Sequence, residues 1–218
     1  MLSEKMLQLL MQGTWETLYM TVGASVFAYL LGLPIGVILY VTRRDGLRPC
    51  RPVNMGLGVV VNILRSIPFL ILLVAIQPFT RLVVGTTVGT SAAMFPLVVA
   101  AAPYVGRLVE SSLCEVDRGV IEAATSMGSS MPQIIWKVLL PEARPSLLTG
   151  AAIGVTTILS YSAMAGFCGG GGLGSLALNY GLYRYDQQTM WIMVVVIVII
   201  VQIFQEGGLW IARHSDRR

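Results

Sequence analysis

Few residues in this chain have the types and spacing that chemistry requires. Its only histidine, His214, lies in a basic tail without a constellation of Cys, Asp or Glu ligands, so we expect no metal site. Six glycines between Gly166 and Gly174 have the composition of a phosphate-binding loop, but they lack the Gly-x-x-x-x-Gly-Lys spacing and its lysine. We therefore expect no cofactor in this chain, and any energy that drives it must come from another chain.

One arginine lies deep in an apolar stretch. Arg65 is about nine residues into a predicted span, or roughly 14 Å along a helix, where it costs about 2.5–3.5 kcal/mol on insertion scales. It should therefore face protein or water. Either it lines a transport pathway with Ser66 and Pro68, as a fixed positive charge that attracts a substrate carboxylate, or it is structural. In the structural alternative, Arg65 forms an ion pair, or it donates hydrogen bonds to the backbone carbonyls that Pro68 leaves without a partner.

A second set of candidates precedes the glycine-rich run. Small residues between 161 and 174 let helices approach closely, which favours tight packing followed by an outer loop. The functional alternative is that Tyr161, Ser162 and Met164 line a pathway near its outer closure. Methionine is flexible and fills irregular gaps, which suits a gate that must repack.

The composition is that of an integral membrane protein. Hydrophobic residues make up 55% of the chain and charged residues 12%, against roughly a quarter charged in soluble domains. The length of 218 residues fits a single membrane domain, 1–218. The net charge of +4 comes from basic residues at the ends of apolar runs, which indicates membrane topology and not nucleic-acid binding.

Five apolar runs are long enough to cross a bilayer, which takes about 20 residues per helix. They lie near 15–41, 56–79, 91–112, 146–167 and 189–212. The sequence therefore predicts an all-α membrane protein with five transmembrane helices and a loop over 113–145.

The distribution of Lys and Arg predicts the orientation. One side receives Arg43, Arg44, Arg48, Arg51, Arg118, Lys137, Arg144, Arg213, Arg217 and Arg218, and the other receives Lys5, Arg81 and Arg184. The richer side should be cytoplasmic, which puts the N-terminus outside, and the C-terminus and the 113–145 loop inside.

The 113–145 loop is patterned as a helix-turn-helix. Good helix formers run from Glu122 to Met127, and Gly128 offers the left-handed residue that ends many helices. Ser130 can cap a second helix in a capping box with Gln133. We expect Pro132 in the first turn of that helix, where its missing N–H costs little, and Pro141 at its close.

The same loop resembles the EAA loop of ABC-importer permeases. Its pattern of Glu-Ala-Ala, Gly, an aliphatic residue and Leu-Pro is occupied by Glu122, Ala123, Ala124, Gly128, Val138, Leu140 and Pro141. Val138 stands where isoleucine is usual. The segments 13–21, 65–69, 78–86 and 172–174 look like those of the permease subunit of bacterial methionine importers, so the resemblance covers nearly the whole chain.

This resemblance implies a type I ABC-importer permease in the bacterial inner membrane. The protein would be a homodimer that carries two ATPase subunits, which bind ATP and Mg, and receives methionine from an outer binding lipoprotein. Transport would proceed by alternating access. In the loop, residues 122–128, with Met127 among them, would form the helix that docks on the ATPase. Glu122 would offer a negative charge at the helix start that is also available to a basic ATPase residue. Ala123 and Ala124 would be small enough for close approach, and Gly128 would set the turn. Leu140 and Pro141 complete the motif.

Three alternatives stay open. The substrate could be another small amino acid or a polar anion, because no residue in the sequence indicates recognition of the thioether of methionine. A self-contained channel or secondary transporter would belong to a different class, and it would transport in vesicles without ATP or a partner. A membrane enzyme is the weakest alternative, since no nucleophile–base or paired-carboxylate set shares one membrane depth.

Overall fold

The computed structural model describes residues 4–215, and its regular elements are helices. The α-helices are α1 (Glu4–Thr42), α2 (Arg51–Ser66), α3 (Phe69–Ala75), α4 (Gln77–Val84), α5 (Thr90–Cys114), α6 (Arg118–Ser126), α7 (Met131–Ile134), α8 (Leu140–Glu142), α9 (Arg144–Ala165), α10 (Gly172–Leu178) and α11 (Gln187–Ser215). Short π-helical turns cover Ile135–Leu139 and Asn179–Tyr183, and a 3₁₀ turn covers Gly166–Cys168.

Four of these helices are long and apolar enough to cross a membrane: α1, α5, α9 with its 3₁₀ turn, and α11. The predicted spans 15–41, 91–112, 146–167 and 189–212 fall on them. A fifth crossing exists only if α2 and α3 are counted together as one bent span.

The predicted span over 56–79 is not a single straight helix. The helix breaks after α2, where Ile67 is extended (φ −80°, ψ 122°), and α3 departs at an angle of 100°. The cause is Pro68, because proline disfavours helical geometry in the residue before it and has no N–H to continue the helix. The residues on both sides of this break are apolar, so hydropathy alone predicts a single span.

The centre of the fold is the packing of α1 against α5. A Cβ on Gly36 would lie 2.6 Å from the Gly106 carbonyl oxygen, and one on Gly32 would lie 2.6 Å from Val105. Small residues spaced by four along α1 therefore bring the two backbones together, as is common between membrane helices. Fully buried Leu97, Val105 and Leu113 of α5 continue this core along the helix.

The glycine-rich run is a packing device, as the first of the two interpretations predicted. A Cβ on Gly174 would lie 2.2 Å from the Ala163 carbonyl oxygen, so glycine lets α10 rest on the end of α9. The carboxylate of Glu16 accepts a hydrogen bond from the Gly172 backbone N–H at 2.7 Å. The Thr17 hydroxyl accepts one from the Leu173 N–H at 2.9 Å. Two side chains of α1 thereby hold the start of α10.

Candidate functional site

The first helix of the 113–145 loop begins earlier than predicted. α6 starts at Arg118, and Asp117 caps it by accepting a hydrogen bond from the Gly119 N–H at 2.6 Å. Glu122 is thus in the second turn, and the expectation that its charge stands at the helix start is wrong. Asp117 supplies the negative charge that the helix dipole favours there.

Gly128 ends this helix as predicted. It is left-handed, with φ at +77°. Its N–H donates to the Thr125 carbonyl at 2.9 Å, and the Ser129 N–H donates to the Ala124 carbonyl at 3.1 Å. This pair of bonds is the Schellman motif, which satisfies the last carbonyls of a helix.

The second helix begins as predicted but does not end as predicted. The Gln133 side chain reaches back to Ser130 and accepts from its backbone N–H at 2.8 Å. Pro141, expected to close this helix, instead lies in the first turn of α8, after a π turn in which the Leu140 N–H donates to the Ile135 carbonyl. A proline in a first turn needs no N–H. The chain therefore stays helical until the turn at Ala143.

The residues of the EAA-like motif divide into an inner and an outer set. Ala124 is 3% exposed and packs into its own chain, so the expectation that it allows close approach by a partner is wrong. Leu140 packs against the main core cluster. Glu122, Ala123, Pro141 and Gly128 are exposed, as is Met127 at 79%. The inner set anchors the loop to the helix bundle, and the outer set is free to meet another molecule.

Sequence reasoning missed Trp136 in this outer surface. Its side chain is 69% exposed, and it lies on the second helix of the loop. The sequence did contain an indication of this exposure. A tryptophan in a polar segment between spans lies outside the bilayer, so lipid cannot cover its ring. Exposed tryptophan and methionine are typical of protein–protein contacts.

An ion pair joins the linker between α1 and α2 to α6. Asp45 pairs with the Arg43 Nε at 2.8 Å through one carboxylate oxygen and with the Arg118 guanidinium through the other. Its own backbone N–H, and then the two arginines, lower the pKa of the Asp45 carboxyl. A carboxylate is ionised at neutral pH in any case, and the lowered pKa of the Asp45 carboxyl keeps the bridge charged further into the acid range. We call this set the Asp45 bridge.

Arg65 lies in the last turn of α2, just before the break at Pro68. It is exposed in the protomer, and its guanidinium carbon lies 6.0 Å from the centre of the Tyr104 ring. Ser66 is exposed and donates to the Asn62 carbonyl at 2.8 Å. A cation at a helix C-terminus is favoured by the dipole. Arg65 forms no ion pair within residues 4–215, so the ion-pair form of the structural alternative has no support.

A charged cluster inside the bundle was missed by sequence reasoning. Arg107 of α5 pairs with Glu110 at 2.6 Å and donates to the Asn62 side chain at 2.9 Å and to the Gly58 carbonyl at 3.3 Å. It ties α5 to α2. The signal was an arginine and a glutamate three residues apart within an apolar helix, where they share one face.

The three predicted pathway residues on α9 differ in how far their side chains are exposed. The Tyr161 ring stacks on Phe69 at a centroid distance of 4.8 Å, against the start of α3. Ser162 is 1% exposed, and its hydroxyl donates to the Leu159 carbonyl at 2.7 Å. Met164 is 44% exposed. Met164 therefore presents surface in the protomer, whereas Ser162 is part of the helix packing.

No group of three or more Cys, His, Asp or Glu side chains within residues 4–215 is placed to hold a metal ion. An apolar helix bundle with one broken span and an anchored, outward-facing helical loop is the architecture of a membrane transport permease.

Comparison with known proteins gives the family. Residues 32–218 match the family described as the inner membrane component of binding-protein-dependent transport systems, and the chain belongs to this family. It is 52% identical to the probable D-methionine transport system permease protein MetI of Vibrio cholerae, over 96% of this chain and 93% of that protein. It is 46% identical to the protein of the same name from Pasteurella multocida, over 94% of each chain.

Solved structures agree with this assignment. The fold matches a chain of the MetNI methionine ABC transporter, solved in inward-facing conformations, with a TM-score of 0.97 and 46% identity. The match covers 99% of this chain and 100% of that one. An amino acid ABC transporter solved with histidines matches at a TM-score of 0.80 and 21% identity, which shows a shared fold alone.

Proposed function

We propose that this protein is the permease subunit of an ATP-driven ABC importer that carries methionine across the inner membrane by alternating access. The observation that carries the proposal is the 113–145 loop. It offers an exposed face with Glu122, Met127 and Trp136, while Ala124 and Leu140 anchor it to the bundle. A loop built in this way can receive a partner on one side and pass a displacement to the membrane helices on the other.

The partner that this loop fits is an ATPase subunit. Residues 4–215 hold no metal cluster, and the sequence has no Gly-x-x-x-x-Gly-Lys phosphate loop. ATP and Mg would therefore be bound by the partner, with two ATPases docked on the loops of a permease homodimer. Relatives at 52% and 46% identity are named as permeases of D-methionine transport systems. A methionine-binding lipoprotein would deliver the substrate from outside.

The translocation pathway would run where the protomer exposes polar and flexible side chains in the membrane. Arg65 and Ser66 stand at the break that Pro68 makes in α2, and Met164 and Tyr161 stand near the end of α9. Arg65 would supply positive charge for the substrate carboxylate. Met164 would meet its copy in the second subunit and form the outer closure. Ser162, being buried, is left out of this lining.

The orientation we propose has the N-terminus outside and the C-terminus in the cytoplasm. It rests on the asymmetry of Lys and Arg between the two sides. The alternative orientation would put the 113–145 loop outside the cell, where no ATP is available.

The substrate is tested by uptake in a methionine auxotroph that lacks its own methionine importers. The strain expresses this permease with the ATPase and binding protein encoded in its source genome. Labelled methionine should enter, and excess unlabelled methionine should compete, whereas a small polar anion at the same excess should not. Failure of labelled methionine to enter, with uptake of another labelled small amino acid or of the labelled anion by the same strain, would contradict the methionine assignment.

A further inference from the structure

The linker between α1 and α2 is folded back on the end of α1. The Arg48 N–H donates to the Val41 carbonyl and the Cys50 N–H to the Thr42 carbonyl, both at 3.0 Å. Leu47 of the linker and Ile121 of α6 pack against the same core cluster. The linker thus has a fixed conformation and lies beside α6.

The Asp45 bridge joins these two elements. Each carboxylate oxygen of Asp45 is occupied, one by Arg43 and the other by Arg118 at the first position of α6. The same carboxylate, its two arginines and Glu122 line a single cavity of about 190 Å³. Charges of both signs therefore meet in one small space beside the loop.

Arg118 has a second acceptor within its reach. Glu122 lies four residues further along α6, which puts the two side chains on one helix face, where opposite charges attract. Yet the ion pair that Arg118 forms is with Asp45. Within residues 4–215 Glu122 forms no ion pair and no side-chain hydrogen bond, and it is exposed.

We infer that Asp45 is a positioning residue that holds Arg118 away from Glu122, so that the Glu122 carboxylate stays free for a basic side chain of the docking partner. The inference rests on the proposed function, because the partner is the ATPase. It assigns the partner surface opposite Glu122 a lysine or arginine. It also gives the α1–α2 linker a part in docking that its sequence does not suggest.

The expected effect is on docking and not on folding. All three members of the bridge lie at the surface, and exposed ion pairs contribute little to stability. Without Asp45, Arg118 turns to Glu122 and competes with the partner for it. Losing one exposed ion pair of this kind should weaken binding about two- to fivefold.

The experiment measures the affinity of the purified permease for its ATPase in detergent at low salt. Asp45→Asn should weaken binding about two- to fivefold, and Asp45→Glu should bind as the wild type does. The decisive variant is Asp45→Asn with Arg118→Gln, which should restore wild-type affinity because no arginine is left to occupy Glu122. Glu115→Gln, an exposed acid on the same end of the bundle, is the matched control.

A rescue by removing Arg118 separates positioning from a structural clamp. If Asp45 only clamps the linker to α6, the double variant binds as weakly as Asp45→Asn or more weakly, and the inference is overturned. Wild-type affinity of Asp45→Asn itself would also overturn it. In a Glu122→Gln background, Asp45→Asn should have no further effect, and an undiminished effect there would contradict the inference. A wild-type permease that does not bind the ATPase would instead overturn the proposed function.

Discussion

Arg107 and Glu110 form an ion pair inside α5, and together with Asn62 they join α5 to α2. Both side chains are mostly buried, so each depends on the other for compensation of its charge. Arg107→Leu leaves the Glu110 carboxylate without its partner, and removing one member of a buried pair costs on the order of 3 kcal/mol. We expect a clear fall in the melting temperature of the purified protein.

The double variant Arg107→Leu with Glu110→Leu serves as the control. Replacing both charges by apolar groups removes the unpaired carboxylate, so we expect the double variant to recover most of the lost stability. A double variant less stable than Arg107→Leu would mean that the pair is not the source of the effect.

The exposed side chain of Met164 provides a second test. Because its side chain is 44% exposed in the protomer, Met164→Ala should change the free energy of unfolding by less than about 1 kcal/mol. A cysteine at this position should crosslink to its copy in the resting homodimer and less readily when the ATPases are trapped closed. Leu159→Ala, at a fully buried position on the same helix, should destabilise by roughly 2–5 kcal/mol.

Failure of the crosslink in every state, together with a core-like loss of stability in Met164→Ala, would place Met164 in the packing of its own subunit. The outer closure would then have to be assigned to another residue.

The helix-capping contacts could be predicted from residue types, whereas the burial of individual side chains could not. The conformation of Gly128 and the Ser130–Gln133 contact follow from local preferences, and both were predicted correctly. The burial of Ala124 and Ser162 could not be predicted, because the face of a helix that meets the core depends on neighbours distant in sequence. Arg118 and Asp45 are 73 residues apart, and no local pattern joins them.

Between the two helices of the 113–145 loop, the turn depends on the backbone conformation of Gly128. Gly128 has φ at +77°, and a Cβ there would meet nothing within 4 Å, so only backbone strain opposes a side chain. Left-handed geometry costs an L-residue roughly 1–2 kcal/mol, and β-branched residues resist it most. Gly128→Val should therefore shift the turn and reduce ATP-driven transport while leaving membrane insertion intact.

Gly128→Asn is the matched control, since asparagine tolerates left-handed geometry. It should keep co-purification with the ATPase and most of the transport. Normal transport and co-purification by Gly128→Val would remove the turn from the coupling mechanism.

Helix lengths were predictable where apolar composition and chain breakers coincide. The spans on α1, α5, α9 and α11 were found for this reason, and their ends lie within a few residues of the predicted ones, except that α1 begins at Glu4 and not near residue 15. α2 and α3 were merged because both are apolar, although Pro68 was visible in the sequence. The continuation of the helix through Pro141 depends on a π turn, which has no sequence signature of its own.

For the whole molecule, the orientation of the chain is tested through Cys50. It lies in the linker between α1 and α2, on the side richer in Arg and Lys. In a variant with Cys114 and Cys168 replaced by serine, an impermeant thiol reagent should label Cys50 only after the cytoplasmic face is opened. Labelling in intact spheroplasts would reverse the orientation.

The class of the molecule was predictable from composition and from one loop, because a membrane imposes length and hydropathy on every span. The partner chains of the protein were harder to predict from its sequence. Exposed Met127, Trp136 and Met164 show where the protomer has surface to cover. Only the resemblance to known permeases suggested a second copy and an ATPase as the molecules that cover it.

We propose that transport through this bundle is driven by an ATPase docked on the 113–145 loop. The most direct measurement reconstitutes the permease with its ATPase and binding protein in liposomes and follows labelled methionine with ATP or ADP. We expect concentrative uptake with ATP, none with ADP, and strongly reduced uptake with ATP in Gly128→Val. Equal uptake with ATP and ADP, or uptake by the permease alone, would rule out ATPase-driven transport and identify a channel or secondary transporter.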